Sequence, residues 1–439
     1  NLVVTVKDPA KFYIDLNKAE YMPDTDAETE IKVTDMQPLS GAELTISSSF
    51  GNADITNGET KSELIECEVN TRIGIQFDIE ETSTAPNHRN ILKDKILRIY
   101  AVVYDDGSTN IVYMSVLDKT NNQFVPEKER NEIFKYVKFF SDKTSEGYPI
   151  IHVYVENPVE YKFKLAKQDA AGNPLIGTEI EVESSHSGMH YIDGESDIEF
   201  IEEGLKPGDV IQYNVREGRT VENSAYVNKF EAMTIILYVD NEGEVKVNRA
   251  FMTKSVPGSH PQMVPLKDVD FVDYDITAPD ADGTRTLLLT LQNPTKIDIE
   301  LQKKQAGNNG GAIANTNFKI VSSFSDEHTK STDKNGKINF TEDSMRPGNY
   351  TYRIYENRTA NPNYANVLEG IYMKVDINVS PEGNITINDT SYYYQDEDDN
   401  YENDRILTDA KKLEKLQKYT SVQKVVEEDN PVQKLLISI

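Results

Sequence analysis

Polar and apolar residues alternate along most of the chain, and three stretches share one version of that alternation. They are LVVTVKDPAKFYIDLNK from Leu2, IHVYVENPVEYKFKLAK from Ile151 and LLLTLQNPTKIDIELQK from Leu287. Each reads as a strand, then Asp-Pro or Asn-Pro, then a second strand ending in Lys. A period of two means a half-buried strand. A further start, EEDNPVQKLLISI, closes the chain. The anchors fall at Asp8, Asn157, Asn293 and Asn430, a near-constant spacing. A repeat this long is a unit with its own core. The expected division is 1–8 as the closing strand of a preceding repeat, then repeat units over 9–157, 158–293 and 294–430, with 431–439 opening a further one.

Other landmarks recur in the same order. PLSGAELTI from Pro38 and PLIGTEIEV from Pro174 match, and GGAIANTNFKI from Gly310 is a looser copy. Pro-Gly turns follow in LKPGD at Leu205 and MRPGNY at Met345. Strands ending in Glu come next: IQFDIEE, IQYNVRE and YTYRIYE. Strand–turn–strand segments follow, such as YVDNEGEVKV and INVSPEGNITI. Short strands with Gly and Pro turns predict an all-β chain, tandem Ig-like sandwiches in a linear array. Short helical insertions are expected near Phe124 and Met263, and over Lys411–Lys418, where i,i+4 charge pairs suit a surface helix.

Side chains of a strand alternate between faces, so position decides burial. Lys167 shares the face of Phe163 and Leu165, Lys303 that of Ile299 and Leu301, and Lys18 that of Ile14 and Leu16. Glu217, Glu356 and Glu81 likewise share faces with apolar neighbours, with Glu80 a rival to Glu81. Asn157 and Asn293 lie on the core face of closing strands. Each unit therefore aims a Lys, a Glu and an Asn inward. A buried charge is costly unless paired or neutralised. The Lys and Glu can form an ion pair, or the Lys can snorkel to the rim. Alternatively, a desolvated Lys is a neutral nucleophile, and a Glu can shuttle protons to the Asn carboxamide. Attack would release ammonia and leave a Lys–Asn amide, a single-turnover maturation rather than an enzyme activity.

Composition narrows the rest. The 439 residues carry a net charge of −28, which argues against a nucleic-acid partner. No apolar run is long enough for a membrane-spanning helix, so no membrane contact is expected. The single Cys, Cys67, allows no intrachain disulfide and reads as core packing. Tyr is abundant and Trp absent, which favours strands. The six His show no ligand spacing, and the acidic run Asp396–Asp399 lacks the glycine of a calcium loop, so neither metal nor cofactor is expected. That run reads as a solvated loop. The chain begins at Asn1 without a signal region and reads as a processed or excised fragment.

The ordered motifs resemble collagen-adhesin B-type domains (CnaB, SpaA-like or prealbumin-like), the repeats of Gram-positive surface adhesins and pilins. The third unit carries the clearest set: STDKNGKINF (Thr332, Asp333, Gly336, Phe340), MRPGNYTYRIYE (Pro347, Gly348, Tyr350, Glu356) and NPNY. Unit one lacks the Thr-Asp and Pro-Gly elements, and each acceptor here is followed directly by Pro. The resemblance implies an inverse-Ig, prealbumin-like sandwich locked by a Lys–Asn isopeptide bond promoted by Glu. Carried over, Lys18 pairs with Asn157 through Glu81, Lys167 with Asn293 through Glu217, and Lys303 with Asn430 through Glu356. Asp8 is the acceptor of a preceding unit, and Asn248 and Asn388 are rival acceptors off the core face. It further implies an extracellular, cell-surface or cell-wall stalk whose partners are neighbouring repeats and a host protein or glycan. A loop insertion, the Tyr-rich stretch from Tyr392 to Tyr401, is the alternative binding module, and an accessory region of a secreted glycan-degrading enzyme is the other alternative.

Overall fold

The computed structural model describes residues 8–22, 32–193, 195–219, 225–227, 230, 232–255, 258, 260–280, 284–307, 310–325, 327–359, 363–395, 405–427 and 430–439. The first strand expected from Leu2, the run Asp396–Asp399 and most of the Tyr-rich loop lie outside these residues.

The protein is all-β, and among the described residues its strands form six sheets, two per unit. Unit one contains β1 (Ala10–Glu20), β2 (Glu43–Ser48), β3 (Asn52–Ile55), β4 (Ile65–Val69), β5 (Gly74–Ser83), β6 (Lys95–Val103), β7 (Thr109–Asp118), α1 (Glu127–Phe134), β8 (Val137–Lys143) and β9 (Pro149–Asn157). Its sheets run β4-β1-β9-β8 and β3-β2-β5-β6-β7. Unit two contains β10 (Val159–Asp169), β11 (Glu179–Ser184), β12 (Gly188–Asp193), β13 (Asp197–Leu205), β14 (Val210–Arg219), β15 (Met233–Val239), β16 (Val245–Lys254), β17 (Gln262–Pro265), β18 (Val272–Ile276) and β19 (Arg285–Asn293). Its sheets run β13-β10-β19-β18 and β12-β11-β14-β15-β16-β17. Unit three contains β20 (Thr295–Gln302), β21 (Thr316–Ser322), β22 (His328–Ser331), β23 (Lys337–Met345), β24 (Gly348–Thr359), β25 (Ile371–Val379), β26 (Ile385–Tyr394), α2 (Ala410–Tyr419), β27 (Ser421–Glu427) and β28 (Asn430–Ser438). Its sheets run β23-β20-β28-β27 and β22-β21-β24-β25-β26.

Three separate apolar clusters, one per unit, fill the space between paired sheets, as a sandwich requires. In each unit the first strand lies parallel to the last: β1 beside β9, β10 beside β19 and β20 beside β28. Equivalent residues hold equivalent places. Phe163 pairs with Phe200 and Ile299 with Phe340, while in unit one Ile14 pairs with Ile65. Cys67 pairs with Phe12, the place that Glu202 takes opposite Tyr161 and Glu342 takes opposite Ile297. It is fully buried, and burial pushes its thiol up to about 12. A thiol reagent at mildly alkaline pH is expected to leave native Cys67 untouched and to titrate it only after denaturation, as a colorimetric thiol assay checks.

Two expectations need correction. The segment 431–439 does not open a further repeat: β28 sits between β20 and β27 and closes unit three. Asn430-Pro431 lies at a hairpin end, where Glu427 pairs with Asn430, and not at a joint between units. The cause is that Leu435, Ile437 and Ile439 alternate like a closing strand, which the dipeptide alone does not reveal. Near Met263 the insertion makes β17 and a single short turn of 3-10 helix, Leu266–Asp268, because Pro265 and the β-branched Val269 bound it. The helix α2 does form, and the Asp409 side chain accepts from the Lys411 and Lys412 amides at its start.

Candidate functional site: a Lys–Glu–Asn cluster inside each sandwich

The parallel pairing of first and last strands creates the site. Lys167 pairs with Leu291, and Asn293 lies two residues further along, on the same face. The facing sheet supplies Glu217 from β14. Lys167 Nζ donates to Asn293 Oδ1 at 2.5 Å and lies 2.9 Å from Glu217 Oε1. Asn293 Nδ2 donates to the same Glu217 oxygen at 2.9 Å. The Phe230 ring covers the amine, with its centroid 4.7 Å from Nζ.

Unit one repeats the arrangement. Lys18 pairs with Val155, two residues short of Asn157. Lys18 Nζ donates to Asn157 Oδ1 at 2.5 Å and to Glu81 Oε1 at 2.8 Å. Asn157 Nδ2 donates to Glu81 Oε1 at 2.6 Å and to Thr84 Oγ1 at 2.8 Å. The rival Glu80 points outward and pairs with Lys119 at 2.5 Å on the surface. The lysines are almost sealed from solvent, Lys167 at 0% and Lys18 at 1% exposure. Burial lowers the Lys18 amine from its usual range against the pull of Glu81, and lowers that of Lys167 to about 8 against Glu217.

Unit three holds two of the three groups. Lys303 Nζ lies 2.7 Å from Glu356 Oε1, and Glu356 Oε2 accepts from the Val367 and Leu368 amides at 2.8 and 3.2 Å. Asn430 is not brought to it. It stands at the opposite end of β28, where its Oδ1 accepts from the Val432 amide at 3.0 Å. The register explains the miss: Gln302 pairs with Ser438 and the Lys304 amide donates to Ile439 O, so Lys303 faces the far end of β28 from Asn430. Asn248 on β16 and Asn388 on β26 are exposed and stand away from the Lys–Glu pairs.

Two features were not foreseen. A bulge follows each Glu: the register shifts between Glu43 and Leu44 opposite Glu81, between Glu179 and Ile180 opposite Glu217, and between Asn317 and Phe318 opposite Glu356. The extra residues, Thr82, Gly218 and Asn357, share no chemistry, so no residue type announced them. Thr84 and Phe230 complete the cluster from the loop beyond, where strand parity no longer applies.

Comparison with protein-family models and with curated proteins finds no match. The solved structures that the chain resembles include pilins and pilus adhesins. Pilus adhesin SpaC from Lactobacillus rhamnosus GG, in its open conformation, is 11% identical with a TM-score of 0.23, over 98% of this chain and 43% of that one. A C-terminal fragment of the same adhesin is 13% identical with a TM-score of 0.25, over 65% and 97%. BcpA, the major pilin subunit of Bacillus cereus, is 10% identical with a TM-score of 0.21, over 88% and 96%. The chain thus spans less than half of the open SpaC structure. These likenesses are distant, and the fold rests on the sheet order and register above. No helix among the described residues is long and apolar enough to cross a membrane.

Proposed function

We propose that the chain is a load-bearing stalk segment of a Gram-positive surface adhesin or pilus, locked within its units by Lys–Asn amide crosslinks. The observation that carries this reading is the same buried Lys–Glu–Asn cluster in two successive units, each with the amine 2.5 Å from the carboxamide oxygen. A Lys held in a dry site with its amine displaced toward neutrality is an activated nucleophile. Nζ attacks Asn Cγ, a C–N bond forms, and the Cγ–Nδ2 bond breaks. The Glu oxygen contacts both nitrogens, so it takes a proton from Nζ and delivers one to Nδ2, which leaves as ammonia. The balance is one amine and one carboxamide giving one secondary amide and one ammonia.

The topology supports a mechanical role. Load enters unit two at the start of β10 and leaves at the end of β19. A Lys167–Asn293 bond shortens the covalent path to the segment from Val159 to Lys167. The rest of the sandwich is bypassed, and its hydrogen-bond ladder carries no tension. Adhesion to a host protein or glycan would then belong to surfaces outside these three cores.

Intact-mass measurement tests the reading. Units one and two are each expected to lose one ammonia relative to the encoded mass, with linked Lys18–Asn157 and Lys167–Asn293 peptides after digestion. Lys303 is expected to form no link to Asn430. An unmodified mass would leave ion-paired sandwiches and remove the crosslink.

A further inference from the structure

We infer that each unit carries a glycine-tipped hairpin that plugs into a socket on the unit before it, and that this contact holds the angle between successive units. The hairpin is the one after the Glu strand: β6–β7, β15–β16 and β25–β26. Its turn is built identically three times. The amides of Tyr104, Asp240 and Ser380 donate to the carbonyls of Ser108, Glu244 and Asn384 at 2.8 to 3.0 Å. The amides of Gly107, Gly243 and Gly383 donate back to Tyr104, Asp240 and Ser380 at 2.9 to 3.1 Å. The three glycines share left-handed φ values of 78°, 74° and 79°.

Their surroundings differ. Gly107 is exposed, and a Cβ there would meet nothing within 4 Å. Gly243 and Gly383 are buried. A Cβ on Gly243 would lie 2.6 Å from His88 Cε1 and 3.1 Å from Val159 Cγ2. One on Gly383 would lie 2.9 Å from Ala225 Cβ and 3.3 Å from Thr295 Cβ. Both tips therefore reach the same place in successive units: the loop after the preceding Glu strand, where it meets the first residue past Asn-Pro.

That place is a constructed socket. His88 bridges Val159, and the Arg89 amide donates to Pro158 O at 3.0 Å. Tyr226 bridges Thr295, and the Val227 amide donates to Pro294 O at 2.8 Å. Val159, Thr295, His88 and Ala225 are all buried. At the first joint Asn87 Nδ2 donates to Glu242 O at 3.2 Å, Arg285 Nε donates to Asn87 Oδ1 at 3.1 Å, and Arg89 pairs with Glu160 at 3.0 Å. Domains joined by a short linker move freely unless an interface restrains them. Here a Pro-stiffened linker, a backbone bridge and a close-packed tip act on the same few residues.

The socket loop also touches the crosslink site. Thr84 Oγ1 accepts from Asn157 Nδ2 and donates to His88 O at 3.0 Å, and Phe230 covers Lys167. The joint thus begins where each acceptor strand ends. It does not require the crosslink, because every contact named here is noncovalent.

The test compares Gly243→Asn with Gly107→Asn in the full chain. Asn tolerates left-handed φ better than most residues, so both substitutions impose similar backbone strain and differ only in what the side chain meets. Spin labels are placed at Lys128→Cys in unit one and Glu181→Cys in unit two, both exposed, while native Cys67 is buried and unlabelled. Pulsed dipolar spectroscopy is expected to give a narrow interlabel distance distribution in the parent and in Gly107→Asn. Gly243→Asn should broaden and shift it. His88→Ala, which empties the socket without touching the hairpin, should broaden it too and serves if Gly243→Asn folds poorly. The inference is overturned if His88→Ala keeps the parent distribution, or if Gly107→Asn broadens it as much as Gly243→Asn. The intact mass of each variant reports the crosslinks separately.

Discussion

Replacing Glu217 by Ala is expected to return unit two to its encoded mass and to make it the first unit to melt. Two effects act together. Without Glu217 no group among the described residues contacts both the Lys167 and Asn293 nitrogens, so the proton transfer that releases ammonia loses its carrier. The amine is also left in a dry core without its counter-charge, and removing one partner of a buried pair typically costs about 3–5 kcal/mol. Losing the crosslink adds to this. Lys167 and Asn293 are 126 residues apart, and in the chain-entropy account a covalent link across about 100 residues is worth about 4–5 kcal/mol. Differential scanning calorimetry should show one transition moving far down while the others hold. Glu80→Ala is the control: it breaks only an exposed pair with Lys119, which contributes little. A Glu217→Ala protein that still lacks one ammonia from unit two would show that another group moves the proton.

Much of this site was legible because strands have a period of two. Once Phe163 and Leu165 are placed in a core, Lys167 must follow them, and Tyr213 and Val215 carry Glu217 in the same way. Parity names which residues turn inward, but it does not say which meet. That depends on the first and last strands lying parallel, a pairing across the whole unit that no local pattern encodes. The resemblance to adhesin repeats supplied it for Lys18 and Asn157 and for Lys167 and Asn293, and geometry brings both pairs together. It failed at Asn430 because one dipeptide serves two purposes. Asn-Pro ends a closing strand at Asn157 and Asn293, yet at Asn430 it belongs to a hairpin between β27 and β28. Only the register of β28 against β20 separates the two.

Unit one shows the opposite case, a sequence that departs from the pattern while the structure keeps it. Its turn motifs are missing, and Cys67 stands where Glu202 and Glu342 stand, yet Lys18, Glu81 and Asn157 converge as closely as their counterparts in unit two. The cluster needs a face, a register and a bulge, and each of these tolerates many residues. The joint between units was invisible for a related reason. Gly243 and Gly383 are required by neighbours far away in the chain, whereas Gly107 satisfies only its own turn. All three look alike in sequence.

Crosslinking in unit two is expected to speed up as pH rises and to level off above about pH 8. The Lys167 amine must lose its proton before it can attack, and burial brings its pKa from 10.5 to about 8 despite the nearby Glu217. Below that value the neutral fraction falls about tenfold per pH unit, and the rate should fall with it. The same shift acts on stability before the bond forms. Between about 8 and 10.5 the unfolded chain binds more protons than the folded one, so the stability of the unreacted unit rises with pH across that window. Below it the amine is charged in both states and the full cost of burying it remains. Refolding denatured, unreacted chain into buffers from about pH 6 to 10, with intact mass followed over time, reads the rate directly. A rate independent of pH across that range would mean that Lys167 reaches the carboxamide already neutral, with Glu217 rather than solvent holding its proton.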